Sequence, residues 1–227
     1  EFRRVLFRSL NYHGDEAIEI HISDLGNTGQ GDVLEVSGTV NIEVRPLNDE
    51  PRLTVPNSQS VDEDNLLTIP GINLLDADIT VDPTMVLEVT IDVNDGIFNL
   101  NDMSGLTFSE GTGVGDKHVV FRGTIPAINA ALDNLTYQGD INFHDNDLMN
   151  IFVTDLGNVG LLDIDGNPIL ILTDNQSIPI TVIPVNDAPV LQVPEAQAID
   201  EELVLHIEGL SVDDRDIVRR PDIELKM

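Results

Sequence analysis

Apolar and polar residues alternate along most of this chain. Leu87, Val89, Ile91 and Val93 alternate with Glu88, Thr90 and Asp92; Val40, Ile42 and Val44 with Asn41, Glu43 and Arg45; Ile18, Ile20 and Ile22 with Glu19, His21 and Ser23. A period of two sends successive side chains to opposite faces of an extended strand, so each run predicts a half-buried strand with one wet face. Turn-forming clusters separate the runs, at Asn94-Asp95-Gly96, Gly111-Thr112-Gly113 and Asp165-Gly166-Asn167. One segment breaks the pattern. Pro126 follows Ile125 and suits the first position of a helix, and Ala127, Ile128, Ala130, Ala131 and Leu132 favour helix. This predicts one short helix that crosses between two sheets before a strand over 135–137. Many short strands with regular turns predict an all-β fold, a sandwich of antiparallel sheets.

The pattern also repeats. Asn11-Tyr12-His13-Gly14 recurs as Asn142-Phe143-His144-Asp145, the Ile18/Ile20/Ile22 run as Met149/Ile151/Val153, and Asp24-Leu25-Gly26-Asn27 as Asp155-Leu156-Gly157-Asn158, all 131 positions apart. Farther along the offset is 138. Val40, Ile42 and Val44 match Ile178, Ile180 and Val182, and Leu47-Asn48-Asp49-Glu50-Pro51 matches Val185-Asn186-Asp187-Ala188-Pro189. Val61-Asp62-Glu63-Asp64 matches Ile199-Asp200-Glu201-Glu202, Gly71 matches Gly209, and Asp76-Ala77-Asp78 matches Asp214-Arg215-Asp216. The change of offset places a seven-residue insertion between Asn158 and Ile178, around the turn-rich Asp163-Ile164-Asp165-Gly166-Asn167-Pro168. The expected organisation is the end of one repeat at 10–50, a complete repeat at 51–188, and the start of a third at 189–227, with the last residues falling in a strand that contains Ile223 and Leu225.

Charge narrows the partners. The net charge is −30, and only Lys117 and Lys226 are lysines. Residues 1–9, Glu1-Phe2-Arg3-Arg4-Val5-Leu6-Phe7-Arg8-Ser9, resemble the in-frame translation of a sequencing-library adapter and are set apart from the fold; without their three Arg and one Glu the charge is −32. Such a chain repels nucleic acid and anionic lipid, and it repels itself unless cations screen or bind it. It contains no Cys, which excludes disulfides and thiolate metal sites. No apolar run reaches the roughly 18 residues of a membrane-spanning helix, so no direct membrane insertion is expected. No secretory signal is visible, and an internal fragment would carry none.

The Asn-Asp-x-Pro boundaries, and the order of blocks between them, resemble the cadherin-like and chondroitin-sulfate-proteoglycan-type tandem repeats of large bacterial surface adhesins. The blocks run from Val61-Asp62-Glu63-Asp64 and Asp76-Ala77-Asp78, through 128–137, to Asn142-Phe143-His144 and Phe152-Val153-Thr154-Asp155-Leu156-Gly157-Asn158. The resemblance implies tandem immunoglobulin-like sandwiches used in series as an extracellular stalk, with Ca2+ at the junctions between repeats. Asn48, Asp49, Asp76 and Asp78 would form one site, and Asn186, Asp187, Asp214 and Asp216 its equivalent. Glu63 would serve the junction at the far end of its own repeat. The sequence departs from the family in its linkers, which carry fewer acids, and in lacking a full Asp-Arg-Glu motif; Asp214-Arg215-Asp216 comes nearest.

The residues themselves point the same way. Calcium wants six to eight oxygen ligands. Asp76 and Asp78 supply carboxylates, and an i, i+2 pair on an extended segment would aim both the same way. Asp163/Asp165/Gly166/Asn167 begins like an EF-hand loop but lacks the closing Glu and helical flanks, so a hairpin turn is expected there. The glycine-rich stretch 111–115 has no following Lys-Ser/Thr and reads as a hairpin tip. The five His include no zinc-spaced pair, and the equivalence of His13 and His144 suits a structural hydrogen bond. No nucleophile elbow occurs, acid pairs are too common here for a glycosidase dyad to stand out, and 4% aromatics without Trp give no sugar-stacking platform. The expected protein is a non-enzymatic, calcium-stiffened stalk of a cell-surface adhesin. Its partners would be its own neighbouring repeats and another cell-surface or matrix component. The alternatives are a direct host-protein or glycan-binding module, and a spacer in a large secreted enzyme.

Overall fold

A computed structural model of the chain describes residues 9–26, 29–157 and 171–218. Strands β1 (Gly14–Ser23) and β2 (Glu35–Val44) form an antiparallel hairpin. Then come β3 (Arg52–Thr54), β4 (Gln59–Asp62), β5 (Leu67–Ile69), β6 (Asn73–Leu75) and a 3-10 turn at Ala77–Thr80. They are followed by β7 (Val86–Asp92), β8 (Gly96–Asn99), β9 (Thr107–Glu110), β10 (Val114–Asp116) and β11 (His118–Thr124). Helix α1 (Ile125–Leu132) leads to β12 (Leu135–Gly139), β13 (Asn146–Thr154) and β14 (Thr173–Ile183). Last are β15 (Val190–Gln192), β16 (Ser211–Asp213) and a second 3-10 turn at Arg215–Val218. The Asp163/Asp165 turn and the strand expected at Ile223 and Leu225 lie outside the described residues.

The middle of the chain is a β-sandwich. One sheet has the order β4-β14-β13-β7-β11-β9 and the facing sheet β10-β8-β12-β5, with β3 and β6 paired beside them. Alternation along each strand sends one face inward. Leu87, Val89 and Ile91 of β7, Met149, Ile151 and Val153 of β13, and Ile178, Ile180 and Val182 of β14 meet Phe98, Leu135, Tyr137 and Ile69 from the opposite sheet. Helix α1 carries the chain from β11 in the first sheet to β12 in the second, burying Ile128 and Leu132 on the way. Pro126 lies one residue later than expected, because Ile125 takes the first helical position after the Thr124 cap.

The antiparallel sandwich expected from the sequence is observed, with one edge pairing as an exception, and one expected turn needs correction. The sheets are antiparallel except at one edge, where β4 runs parallel to β14, Val61 opposite Val182. The stretch 111–115 is not a hairpin tip, since β9 pairs with β11 in one sheet and β10 with β8 in the other. Gly111, Gly113 and Gly115 all have positive φ, and the Asp116 carboxylate accepts from the Thr112 and Gly113 N–H groups, so the loop is wound tightly enough to change sheets.

The repeat is carried by conformation as well as sequence. Adding 138 to β3, β6 and the first 3-10 turn gives β15, β16 and the second turn, with the same pairing register, Leu53 opposite Leu74 and Leu191 opposite Val212. Adding 131 to β1 superposes its end on that of β13. Residues with positive φ recur in step: Asn11 and Asn142, Leu25 and Leu156, Gly26 and Gly157, Asp64 and Glu202, Gly71 and Gly209. Burial does not recur. Ile20 and Ile22 of β1 are 44% and 60% exposed, against 0% for their counterparts Ile151 and Val153. The expected half-buried face of this hairpin is therefore open, because β13 has β7 beside it and a sheet opposite, whereas β1 pairs with β2 alone.

Candidate cation site at the repeat junctions

The first linker, from Asn48 to Leu53, is held to the sandwich by three carboxylates. Asn48 Nδ2 donates to Asp155 Oδ2 at 2.5 Å, the Asp49 N–H to Asp78 Oδ2 at 2.9 Å, and the Leu53 N–H to Asp174 Oδ2 at 2.7 Å. Asp155, Asp78 and Asp76 are all buried. Each is fixed by its local backbone. Asp76 is extended and caps the 3-10 turn, its Oδ1 accepting from the Asp78 N–H at 2.9 Å. The Asp76/Asp78 pair therefore converges through a capping turn, and not through the extended segment expected from the spacing. Asp155 Oδ1 accepts from the N–H groups of Gly157 and Leu172, both at 2.9 Å, which ties the end of β13 to the residues just before β14.

This concentration of acid is electrostatically costly. Burial foremost, then the charges of Asp78, Asp155 and Asp49, push the Asp76 carboxyl up to about 6, against the lowering effect of the Asp78 N–H. Asp78 is raised as well, first by burial and then by the charges of Asp49 and Asp155, against the lowering effect of the Asp49 N–H and, more weakly, of His13. Asp76 Oδ2 is buried and has no hydrogen-bond partner. A buried, unpaired carboxylate oxygen carries the full desolvation penalty unless a proton or a cation meets it.

The second junction repeats the frame. The Asp187 N–H donates to Asp216 Oδ2 at 2.7 Å, and the Asp216 N–H to Asp214 Oδ1 at 3.0 Å. From the preceding repeat, Glu63 Oε1 accepts from the Val185 N–H at 2.5 Å, and Glu63 Oε2 lies 3.7 Å from His144 Nδ1. Glu63 thus stands at the far end of its own repeat, against the second linker. His144 Nδ1 also meets the Asn142 carbonyl at 2.8 Å, a structural contact. Asn186 does not copy Asn48: it is exposed, and its amide donates to the Asp187 carbonyl.

No family model and no curated protein matches the chain. Among solved structures it is similar to a cohesin module from a Clostridium perfringens family 33 glycoside hydrolase, at 12% identity, with a TM-score of 0.32, over 61% of this chain and 99% of that one. A likeness that slight carries no argument about family or function.

The side chains that meet the first linker are carboxylates and the Asn48 amide, with His13 near Asp78, and their oxygens suit a hard cation such as calcium. Together with the orphaned Asp76 oxygen, they fit that ion in ligand type. Among the described residues, no three His, Asp or Glu side chains stand together at metal-ligand spacing. The cluster is held by backbone N–H donors instead. Asp155 is the residue that sequence reasoning missed. Its signal was present, because Asp155-Leu156-Gly157 repeats Asp24-Leu25-Gly26, and Asp24 Oδ1 accepts from Gly26 and Leu34 just as Asp155 does from Gly157 and Leu172. Leucine at positive φ, in both copies, holds each turn in a backbone region that bulky residues rarely adopt.

Proposed function

We propose that this chain is a run of non-enzymatic, calcium-stiffened stalk repeats from an extracellular bacterial surface adhesin, supporting cell adhesion. The observation that carries the reading is the buried Asp76 oxygen without a partner, set among Asp78, Asp155 and the linker residues Asn48 and Asp49. Calcium bound there, with Asn48, Asp49, Asp76 and Asp78 as ligands and Asp155 beside them, would neutralise the repulsion and fasten linker to sandwich. Asp187, Asp214 and Asp216, with Glu63 from the preceding repeat, would serve the second junction, while Asn186, exposed and turned to the Asp187 carbonyl, stands outside it. A stalk built this way has its own neighbouring repeats as first partners and a cell-surface or matrix component as its target. Its net charge of −30 suits an ion-rich exterior. Among the described residues no helix is long and apolar enough to cross a membrane.

A thermal melt of the full chain in calcium, in magnesium and in chelator tests this. With free ligand at a hundred times its dissociation constant, one site adds about 2.7 kcal/mol. At about 2–4 °C per kcal/mol for domains near this size, that corresponds to a midpoint rise of roughly 5–11 °C. The rise should be specific to calcium, because magnesium demands a smaller octahedral shell, and Asp76→Ala with Asp78→Ala should abolish part of it. Identical melts in all three conditions would remove calcium from the function and favour a plain spacer.

A further inference from the structure

The hairpin β1–β2 and the segment 193–210 correspond to two parts of the complete repeat that are joined there and apart here. Pairing across the hairpin puts Ile18, Ile20, Ile22, Val40, Ile42 and Val44 on one face. Their counterparts in β13 and β14 are buried to 3% exposure or less, whereas Ile20, Ile22 and Val40 are exposed. Both long edges of the hairpin are bare as well. β13 has β7 beside it and β14 has β4, but β1 and β2 have only each other among the described residues. An open apolar face with unpaired edges is a template for a further strand. Toward the other end of the chain, residues 193–210 form no strand, and Ile199 and Ile207 are 46% and 59% exposed. Their counterparts Val61 and Ile69, on β4 and β5, pack in the core.

In the complete repeat these two parts meet along β4 and β14. The strands run parallel, with Gln59 opposite Ile180, Val61 opposite Val182 and Asp62 opposite Ile183, and Glu63 then accepts from the Val185 N–H. The same register between the free parts sets Gln197 opposite Ile42, Ile199 opposite Val44 and Asp200 opposite Arg45, with Glu201 on the Leu47 N–H. The charges suit this pairing. Arg45 is exposed and stands where the complete repeat has Ile183, so it would gain an acid directly across the strands. The two parts do not meet within one chain. The first linker is held at the start of β14, through Asp174, and the second just past its end, at Val185. The 11 residues of β14 set those points roughly 35 Å apart.

We propose that copies of this chain join head to tail. Residues 197–200 of one copy add as a parallel strand to the β2 edge of the next, and the apolar side chains that follow cover the hairpin's face. The contact is heterologous: each copy in a pair keeps one unused part, so association continues into rows instead of stopping at a dimer. It asks nothing of calcium at the junctions.

Sedimentation of the full chain in chelator, across micromolar to submillimolar concentrations, is the test. Val40→Asp spoils the hairpin's face and Ile199→Asp the added strand, and both side chains are exposed, so the complete repeat is untouched. The wild type should form oligomers that lengthen with concentration, and each variant alone should stay monomeric. An equimolar mixture of the two variants should form a dimer that grows no further, because it holds one sound hairpin and one sound strand. A wild type that remains monomeric throughout, or a mixture that does, would overturn the proposal. So would undiminished association of Ile199→Asp, since hairpins would then be pairing with hairpins.

Discussion

At the scale of single residues, burial and close approach decide what each position tolerates. A Cβ on Gly96 would stand 2.6 Å from both the Gln138 carbonyl oxygen and Tyr137 Cε2. Neither can yield, since Gln138 is paired in the sheet and Tyr137 is fully buried. Gly96→Ala is expected to cost about 1–3 kcal/mol in denaturant unfolding. Asp76 predicts a pH effect. Its carboxyl, raised from 3.8 to about 6, holds its proton in the folded chain at pH values where the unfolded chain has lost it. More protons on the folded state mean that stability falls as pH rises. This contribution is fully present below about pH 4 and lost as pH passes about 6. Asp76→Asn mimics the protonated form, so in calcium-free buffer the wild type should lose urea stability relative to Asp76→Asn across that interval. Calcium should remove the difference in slope, because the cation favours the carboxylate. Parallel pH profiles for the two proteins would contradict the burial argument.

At the scale of elements, two polar side chains join units that the strand pattern leaves separate. Asn129 of α1 pairs with β6 as a strand would, its Oδ1 accepting from the Leu74 N–H at 2.7 Å and its Nδ2 donating to the Leu74 carbonyl at 2.9 Å. Leu74 is fully buried, so Asn129→Ala strands two backbone groups and should cost about 2 kcal/mol or more. Asp147 accepts from the Tyr137 hydroxyl at 2.8 Å and from the Asn94 and Asp95 N–H groups at 3.1 Å, fastening the β7–β8 turn to β12 and β13. Burial, and then this carboxylate, raise the Tyr137 hydroxyl far above its ordinary range, so it remains a donor. Tyr137→Phe should cost about 1 kcal/mol and Asp147→Ala clearly more, since only the second orphans several donors. Equal losses for the two variants in chemical denaturation would argue against this knot.

At the scale of the whole molecule, docking of the linkers governs shape. Asp155 joins two tasks, tying the end of β13 to the start of β14 through Gly157 and Leu172 and receiving Asn48 from the preceding repeat. Asp155→Ala should therefore lower the stability of the complete repeat and also blunt any contraction on adding calcium, measured as the radius of gyration by small-angle scattering. Asp174→Ala removes the Leu53 contact at the linker's end, with local bonds to Asn175 and Gln176, but leaves Asn48 and Asp49 held and should affect scattering less. If Asp174→Ala proves the more disruptive, the acid cluster is not what holds the linker.

Alternation and repetition by themselves determined much of this protein. They gave strands facing one way, a short helix from Pro126 to Leu132 that the structure begins one residue earlier, a tandem order of elements, and Asp76 and Asp78 as a pair of interest. These are local properties, set by the backbone period and by recurring turn residues. Which strands became partners was not local. Nothing between Glu110 and Val114 says that β9 and β10 go to opposite sheets, or that β4 runs parallel to β14, since those choices depend on what the rest of the chain leaves unpaired. The same holds at the junctions. Sequence put Asn48, Asp49, Asp76 and Asp78 together by likeness, but only the fold brought in Asp155, from 77 residues beyond Asp78, and left Asn186 outside. Burial, which raises Asp76 and strands its second oxygen, exists only when distant segments close over it.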